Sequence, residues 1–127
     1  MATLYDILVL GAGPGGHAVA VHAAKLGAHV MIVEKDSWGG TCTHRGCIPT
    51  KALLTCSLRY ADLKKLGRFG VRVTNPTFEY AMMKKHQERT VKISTMGVEK
   101  SLKESGAEIR SGEGRIVSPG EVELTAP

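Results

Sequence analysis

An α/β fold built on parallel strands is what this sequence predicts, and three stretches predict it. Residues 4–10 form a short, mostly apolar run interrupted by Asp6, which is how a strand buried in a parallel sheet reads. Gly11-Ala12-Gly13-Pro14-Gly15-Gly16 follows at once and leads into an alanine-rich helical stretch over 17–26. Residues 28–33 are a second apolar strand, ending in Glu34. Strand, glycine turn, helix, strand and acid within about thirty residues make a dinucleotide-binding βαβ unit, the opening of a Rossmann-like sheet.

Each glycine has a physical task in that unit. Gly11 makes the tight turn, Gly13 lets backbone approach a pyrophosphate, and Gly16 lets the helix pack close to the strand. The helix N-terminus offers unpaired N–H groups and a positive dipole end to phosphates. Glu34 suits a ribose hydroxyl and would repel a 2′-phosphate. An ordinary turn and a solvated strand end are the plainer readings, and the flanking elements weigh against them. Gly27 is the stop signal of the helix. His17 and His22 lie on it without a paired ligand and read as core or surface histidines. Trp38 reads as a hydrophobic anchor.

The stretch 39–51 carries the reactive chemistry. Cys42 and Cys47 are five positions apart, with Gly39-Gly40 before the first and Gly46 before the second. Pro49 suits the first turn of a helix that continues through Ala52-Leu53-Leu54 to about residue 66. A thiol at such a helix N-terminus is favoured as thiolate, and Lys51 adds to that. On the residues alone three uses stay open. One is a dithiol that switches oxidation state. Another is a structural staple, which in so short a ring would contribute only about 2 kcal/mol. The third is a crowded metal site of Cys42, His44 and Cys47, lacking a downstream Cys/His pair of zinc type. Cys56 falls half a helical circumference away from Cys47 and reads as a small core residue.

Beyond it, residues 69–73 predict a short extended piece and Asn75-Pro76-Thr77 a turn with Thr77 as N-cap. A long helix is expected over 78–105, ended by Gly106, with Val91, Val98 and Leu102 on its apolar side. Residues 84–90 are polar all round and predict a solvated turn, while Met82 and Met83 read as packing. Residues 107–110 are a strand, and 115–117 and 122–124 flank Ser118-Pro119-Gly120 as a hairpin.

Composition bounds the function classes. The 127 residues suit one domain or a piece of one, and 43% hydrophobic content is enough for a core. No stretch is long enough to cross a membrane, and residues 7–10 are too short for a secretory core, so a cytoplasmic setting is expected. There a disulfide is catalytic or sensing more often than structural. Net charge is +5, with the cations crowded between Lys51 and Lys92. These read as a solvated helix face, so no nucleic-acid partner is expected.

The order of parts separates two dinucleotides. A chain holding only NAD would go on from Glu34 through further strand–helix units. Here a redox-type cysteine pair follows within about ten residues, which places it near the far end of the dinucleotide, where a flavin could exchange electrons with a thiolate. Residues 4–56 resemble the start of the flavoprotein disulfide reductases, the pyridine nucleotide-disulfide oxidoreductases, and most closely their dihydrolipoamide dehydrogenase branch. The carriers are Gly11–Gly16, Ala23-Ala24-Lys25-Leu26-Gly27, Val33-Glu34-Lys35, Gly39-Gly40-Thr41-Cys42 and Gly46-Cys47-Ile48-Pro49-Thr50-Lys51. Gly112–Leu124 is more loosely similar to the family's hairpin.

The resemblance implies an FAD-binding domain over 1–127, incomplete relative to the family, whose NAD and dimer-interface domains lie elsewhere. It implies Cys42 as the interchange thiol, Cys47 as the charge-transfer thiol and Lys51 near the flavin nitrogen. Gly11, Gly13, Gly16, Gly40 and Thr41 would hold the diphosphate, Glu34 the adenosine ribose, and Gly114 would place backbone against the adenine, with Pro14, Gly15 and Lys35 also at the cofactor. The whole enzyme would be a homodimer oxidising a small-molecule or lipoyl-domain dithiol with NAD, and this stretch alone is expected to be inactive. Thr43-His44-Arg45 departs from the family's usual run between the cysteines, which keeps glutathione- and mercuric-reductase types open, alongside a non-catalytic thiol switch. His44 and Arg45 are expected to face water; the other reading has them depressing the thiolate pKa.

Overall fold

The apolar runs pair as a parallel sheet. β1 (Ile7–Leu10), β2 (Val30–Glu34) and β3 (Glu108–Ser111) hydrogen-bond in the order β1-β2-β3, with Ile7 opposite Val30 and Met31 opposite Glu108. The structure is a computed structural model that describes residues 3–125. Val30, Met31, Ile32 and Val33 are all at most 4% exposed, as a central strand covered on both faces requires.

α1 (Pro14–Lys25) joins β1 to β2. It begins three residues before the predicted start, because Pro14 occupies the first helical turn, where its missing N–H is no loss. The return from β2 to β3 runs through α2 (Gly40–His44), α3 (Cys47–Asp62), a 3₁₀ turn (Leu63–Phe69) and α4 (Tyr80–Ser105). Gly106 ends α4 in the left-handed region at φ 87°. β4 (Glu113–Ser118) and β5 (Glu121–Thr125) make the expected antiparallel hairpin.

The core lies on one face of the sheet. Val30 and Ile32 point to the face packed by α1 and α4, where they meet Ala12, Ala20, Leu102 and Ala107, with Val9, Val98 and Trp38 around them. Met31 and Val33 point the other way, into a cleft of about 820 Å³ shared with Ile116, Val122 and Leu124 of the hairpin. The period of two along β2 divides these faces.

Five local expectations are corrected. Thr77 does not cap α4, which starts at Tyr80 with Glu79 at the N-cap. The Phe78 ring packs edge-on against Tyr60 at 5.5 Å, and the Tyr60 hydroxyl donates to the Pro76 carbonyl at 3.4 Å, so 76–78 lie along α3 rather than entering the helix. Phe69 and Gly70 are not extended: Phe69 closes the 3₁₀ turn and Gly70 bends the chain at φ 76°. Cys56 is half-buried, not core, in a groove between α3 and the start of α4. Met82, 57% exposed, borders that groove instead of packing inside. Within the polar stretch 84–90, Gln87 is buried and accepts a hydrogen bond from the Lys84 ammonium at 2.6 Å. The cations of the middle stretch, including Arg59, Lys64, Arg68, Lys85 and Lys92, are exposed as expected.

Leu102 is fully buried where α4 meets the sheet. Leu102→Ala should lower the unfolding free energy by about 2–5 kcal/mol, read by urea denaturation. A second expectation concerns pH. The Tyr5 hydroxyl donates to Glu108 Oε2 at 2.6 Å. That bond is the largest cause holding the Glu108 carboxyl below its ordinary range and the Tyr5 phenol above its own. The depressed carboxyl contributes stability above its unfolded-state pKa and loses it as pH falls through the lowered folded value. The raised phenol contributes below its unfolded-state pKa and loses it as pH rises through the raised folded value. Tyr5→Phe should therefore be less stable than wild type at neutral pH, with the difference vanishing in acid and in strong alkali.

Candidate functional site

The strands are parallel, so the loops that leave their carboxyl ends gather on one edge. The glycine turn after β1, Asp36 after β2 and Gly112–Gly114 after β3 all lie there. Gly11 adopts φ 96° and donates its N–H to the Val33 carbonyl at 2.8 Å, which bends the chain from strand to helix. Gly16 faces inward: a Cβ there would collide with the Gly11 carbonyl and approach Val9 Cγ1 to 3.1 Å. Gly11, Gly13 and Gly15 face open space, with nothing within 4 Å of an added Cβ. Gly15 and Gly16 stand in the first turn of α1, so their N–H groups have no partner within the helix.

Glu34 closes this cradle. Its Oε2 accepts from the Ala12 N–H at 2.7 Å and its Oε1 from the Asp36 N–H at 2.8 Å. An ionised carboxylate offers about four acceptor positions, so two remain for hydroxyl donors. Lys35 turns outward and pairs with Glu113 at 3.1 Å, both ends exposed. Gly114 lies beside the Leu10 side chain, where a Cβ would clash.

The cysteine segment is pressed onto the same cradle. The Gly39 N–H donates to the Ala12 carbonyl at 2.9 Å. A Cβ on Gly40 would stand 2.8 Å from Gly13 Cα, so the backbones of the two glycine stretches touch directly. Gly40 opens the short helix α2, which carries Thr41 and Cys42; Cys47 is the first residue of α3. Cys42 and Cys47 are joined in a disulfide, their Cα atoms 4.7 Å apart. Cys42 is half-buried and Cys47 exposed. A thiolate at Cys47 would sit at the positive end of the 16-residue α3, and Lys51, exposed one turn on, shares its face. Among the described residues no group of three or more His, Cys, Asp or Glu side chains is arranged to hold a metal, so the crowded site of Cys42, His44 and Cys47 is not formed.

His44 corrects the sequence reading. It faces the protein, with Nε2 3.0 Å from the Trp38 carbonyl and 3.3 Å from Thr95 Oγ1 on α4. Arg45 does face water and pairs with Asp36 at 3.0 Å. Sequence reasoning missed α2, Asp36 and Thr95. Asp36 links the Glu34 carboxylate to Arg45, and no local pattern marks it.

The family described as pyridine nucleotide-disulphide oxidoreductase matches residues 5–126, a span that holds both the glycine turn and the cysteine segment packed against it. The chain belongs to that family. It is 37% identical over 119 residues to a dihydrolipoyl dehydrogenase of Bacillus subtilis, covering 94% of this chain and 25% of the relative. The dihydrolipoyl dehydrogenase of Geobacillus stearothermophilus is 42% identical over 119 residues, again 25% of its length. That of Chlorobaculum tepidum is 39% identical over all 127 residues, 27% of its length. The chain thus spans about a quarter of the length of the relatives it matches. Among the described residues no helix is long and apolar enough to cross a membrane.

Gly40, at φ 61° and in contact with Gly13, tolerates no side chain. Gly40→Ala should cost about 1–3 kcal/mol of stability, read by denaturant unfolding.

Proposed function

We propose that residues 1–127 are the FAD-binding, disulfide-bearing N-terminal part of a dihydrolipoamide dehydrogenase-type oxidoreductase. The observation that carries this reading is the contact between cradle and disulfide segment, Gly13 against Gly40. A group whose diphosphate rests on the cradle would have its far end within reach of the Cys42–Cys47 pair. The fit supports FAD. The open faces of Gly11, Gly13 and Gly15, with Pro14, Gly16, Gly40 and Thr41, would hold the diphosphate. Glu34 would use its two remaining acceptor positions on the ribose, Lys35 would flank it, and Gly114 would bring backbone to the adenine.

The cysteines supply the thiol chemistry. A substrate dithiol, as thiolate, attacks Cys42 Sγ; the Cys42–Cys47 bond breaks and Cys47 leaves as thiolate. The second substrate thiol then loses its proton and attacks the mixed disulfide, releasing oxidised substrate and the Cys42 thiol. Two electrons pass from the substrate to the protein disulfide. The helix dipole of α3 and the Lys51 ammonium stabilise the Cys47 thiolate. FAD, when bound, would accept that electron pair and make it available to NAD. The NAD-binding and interface parts of the homodimer, and the lipoyl-bearing or small dithiol substrate, belong to the longer enzyme, so this stretch alone should not turn over with NAD.

Titration of the chain with FAD, followed by flavin fluorescence, tests the reading. Glu34→Ala should weaken binding about tenfold or more while leaving the circular dichroism unchanged. An affinity equal to wild type would remove the ribose assignment. Reduction of the loaded protein should give a long-wavelength absorption band that Cys47→Ser abolishes and Cys42→Ser keeps.

A further inference from the structure

We propose that His44 is a positioning residue that sets the reduction equilibrium of the Cys42–Cys47 pair, by fastening the ring between the cysteines to the core-anchored Trp38 and to α4. The proposal rests on the redox reading above.

His44 lies inside the loop the disulfide closes, two residues after Cys42 and three before Cys47. Its Nε2 is 3.0 Å from the Trp38 carbonyl oxygen, which can only accept, so Nε2 carries the hydrogen. The Thr95 hydroxyl donates to the Val91 carbonyl at 3.0 Å, which leaves its oxygen free to accept. At 3.3 Å it is the second acceptor of the same N–H. One imidazole hydrogen is thus shared between two elements far apart in the chain. Both are firmly held. Trp38 packs against the core cluster, and α4 carries the fully buried Leu102. The neighbouring side chain in the ring, Arg45, pairs with Asp36 in solvent, with side chains 68% and 56% exposed, and anchors weakly.

The consequence follows from proximity. Closing a disulfide requires the two sulfurs to stay near each other once reduced. A ring segment held at its middle has less freedom to separate them, so their effective concentration is higher and the disulfide is favoured. With glutathione, the dithiol and one oxidised glutathione give the protein disulfide and two reduced glutathiones, a balanced two-electron exchange. Removing the Nε2–H anchor should shift this equilibrium towards the dithiol.

The test measures that equilibrium constant in a Cys56→Ser background, by quenching with alkylating agent and weighing the products. His44→Phe, which keeps a planar ring without the donor, should lower the constant about three- to tenfold. His44→Gln, whose amide N–H can occupy the Nε2 position, should restore most of it. Thr95→Val, distant in sequence from both sulfurs, should lower it by a smaller factor. Unchanged constants in both His44→Phe and Thr95→Val would overturn the proposal, as would His44→Gln falling with His44→Phe. Should His44→Phe fail to fold, Thr95→Val alone decides. A wild-type pair that does not exchange with glutathione at all would instead retire the redox reading.

Discussion

Two stretches of glycine backbone in direct contact are the constraint on which the rest of this structure depends. Gly13 ends the turn after β1, Gly40 begins the cysteine segment, and a Cβ on Gly40 would stand 2.8 Å from Gly13 Cα. The carbonyl of Ala12 takes the Gly39 N–H on one side of that contact, and the Ala12 N–H is held by Glu34 on the other. The glycine turn and the cysteine segment, stretches more than twenty residues apart, meet because Gly40 carries no Cβ at the seam.

What keeps the seam closed is the core beneath it. Ala20, Ile32 and Leu102 are each wholly buried where α1, β2 and α4 meet, and Trp38 extends that packing to the base of the cysteine segment. The surface ion pairs contribute little by comparison; Lys35–Glu113 and Arg45–Asp36 are more than half exposed at both ends. The other face of the sheet is packed more loosely, with Ile116 of the hairpin 70% exposed. The site is therefore organised from the α1–α4 side.

Much of the architecture was legible in the residues because its signals are local. Apolar runs, glycine turns and Gly106 act within a few positions of themselves, and they placed the five strands and the helices α1, α3 and α4 to within a few residues, but not the short α2. The errors have a common cause. Phe78 and Tyr60 hold the strap before α4, Lys84 satisfies Gln87, and Thr95 meets His44, each through a partner that spacing cannot show. Cys56 reads as core and Met82 as packing from the sequence, whereas the groove between α3 and α4 leaves them at its rim.

The sequence by itself determined the βαβ unit, its glycine positions, the acid at Glu34 and the thiol pair at a helix mouth, since these depend on dihedral preference, hydrophobic period and helix dipole within one short span. The tertiary structure alone decided that Gly39 and Gly40 of the cysteine segment press on Ala12 and Gly13, and that His44 turns inward to Trp38 and Thr95. It also decided that Asp36 ties Glu34 to Arg45. Those facts depend on which backbones can approach closely and which hydrogens find acceptors, and such pairings exist only once distant segments have packed.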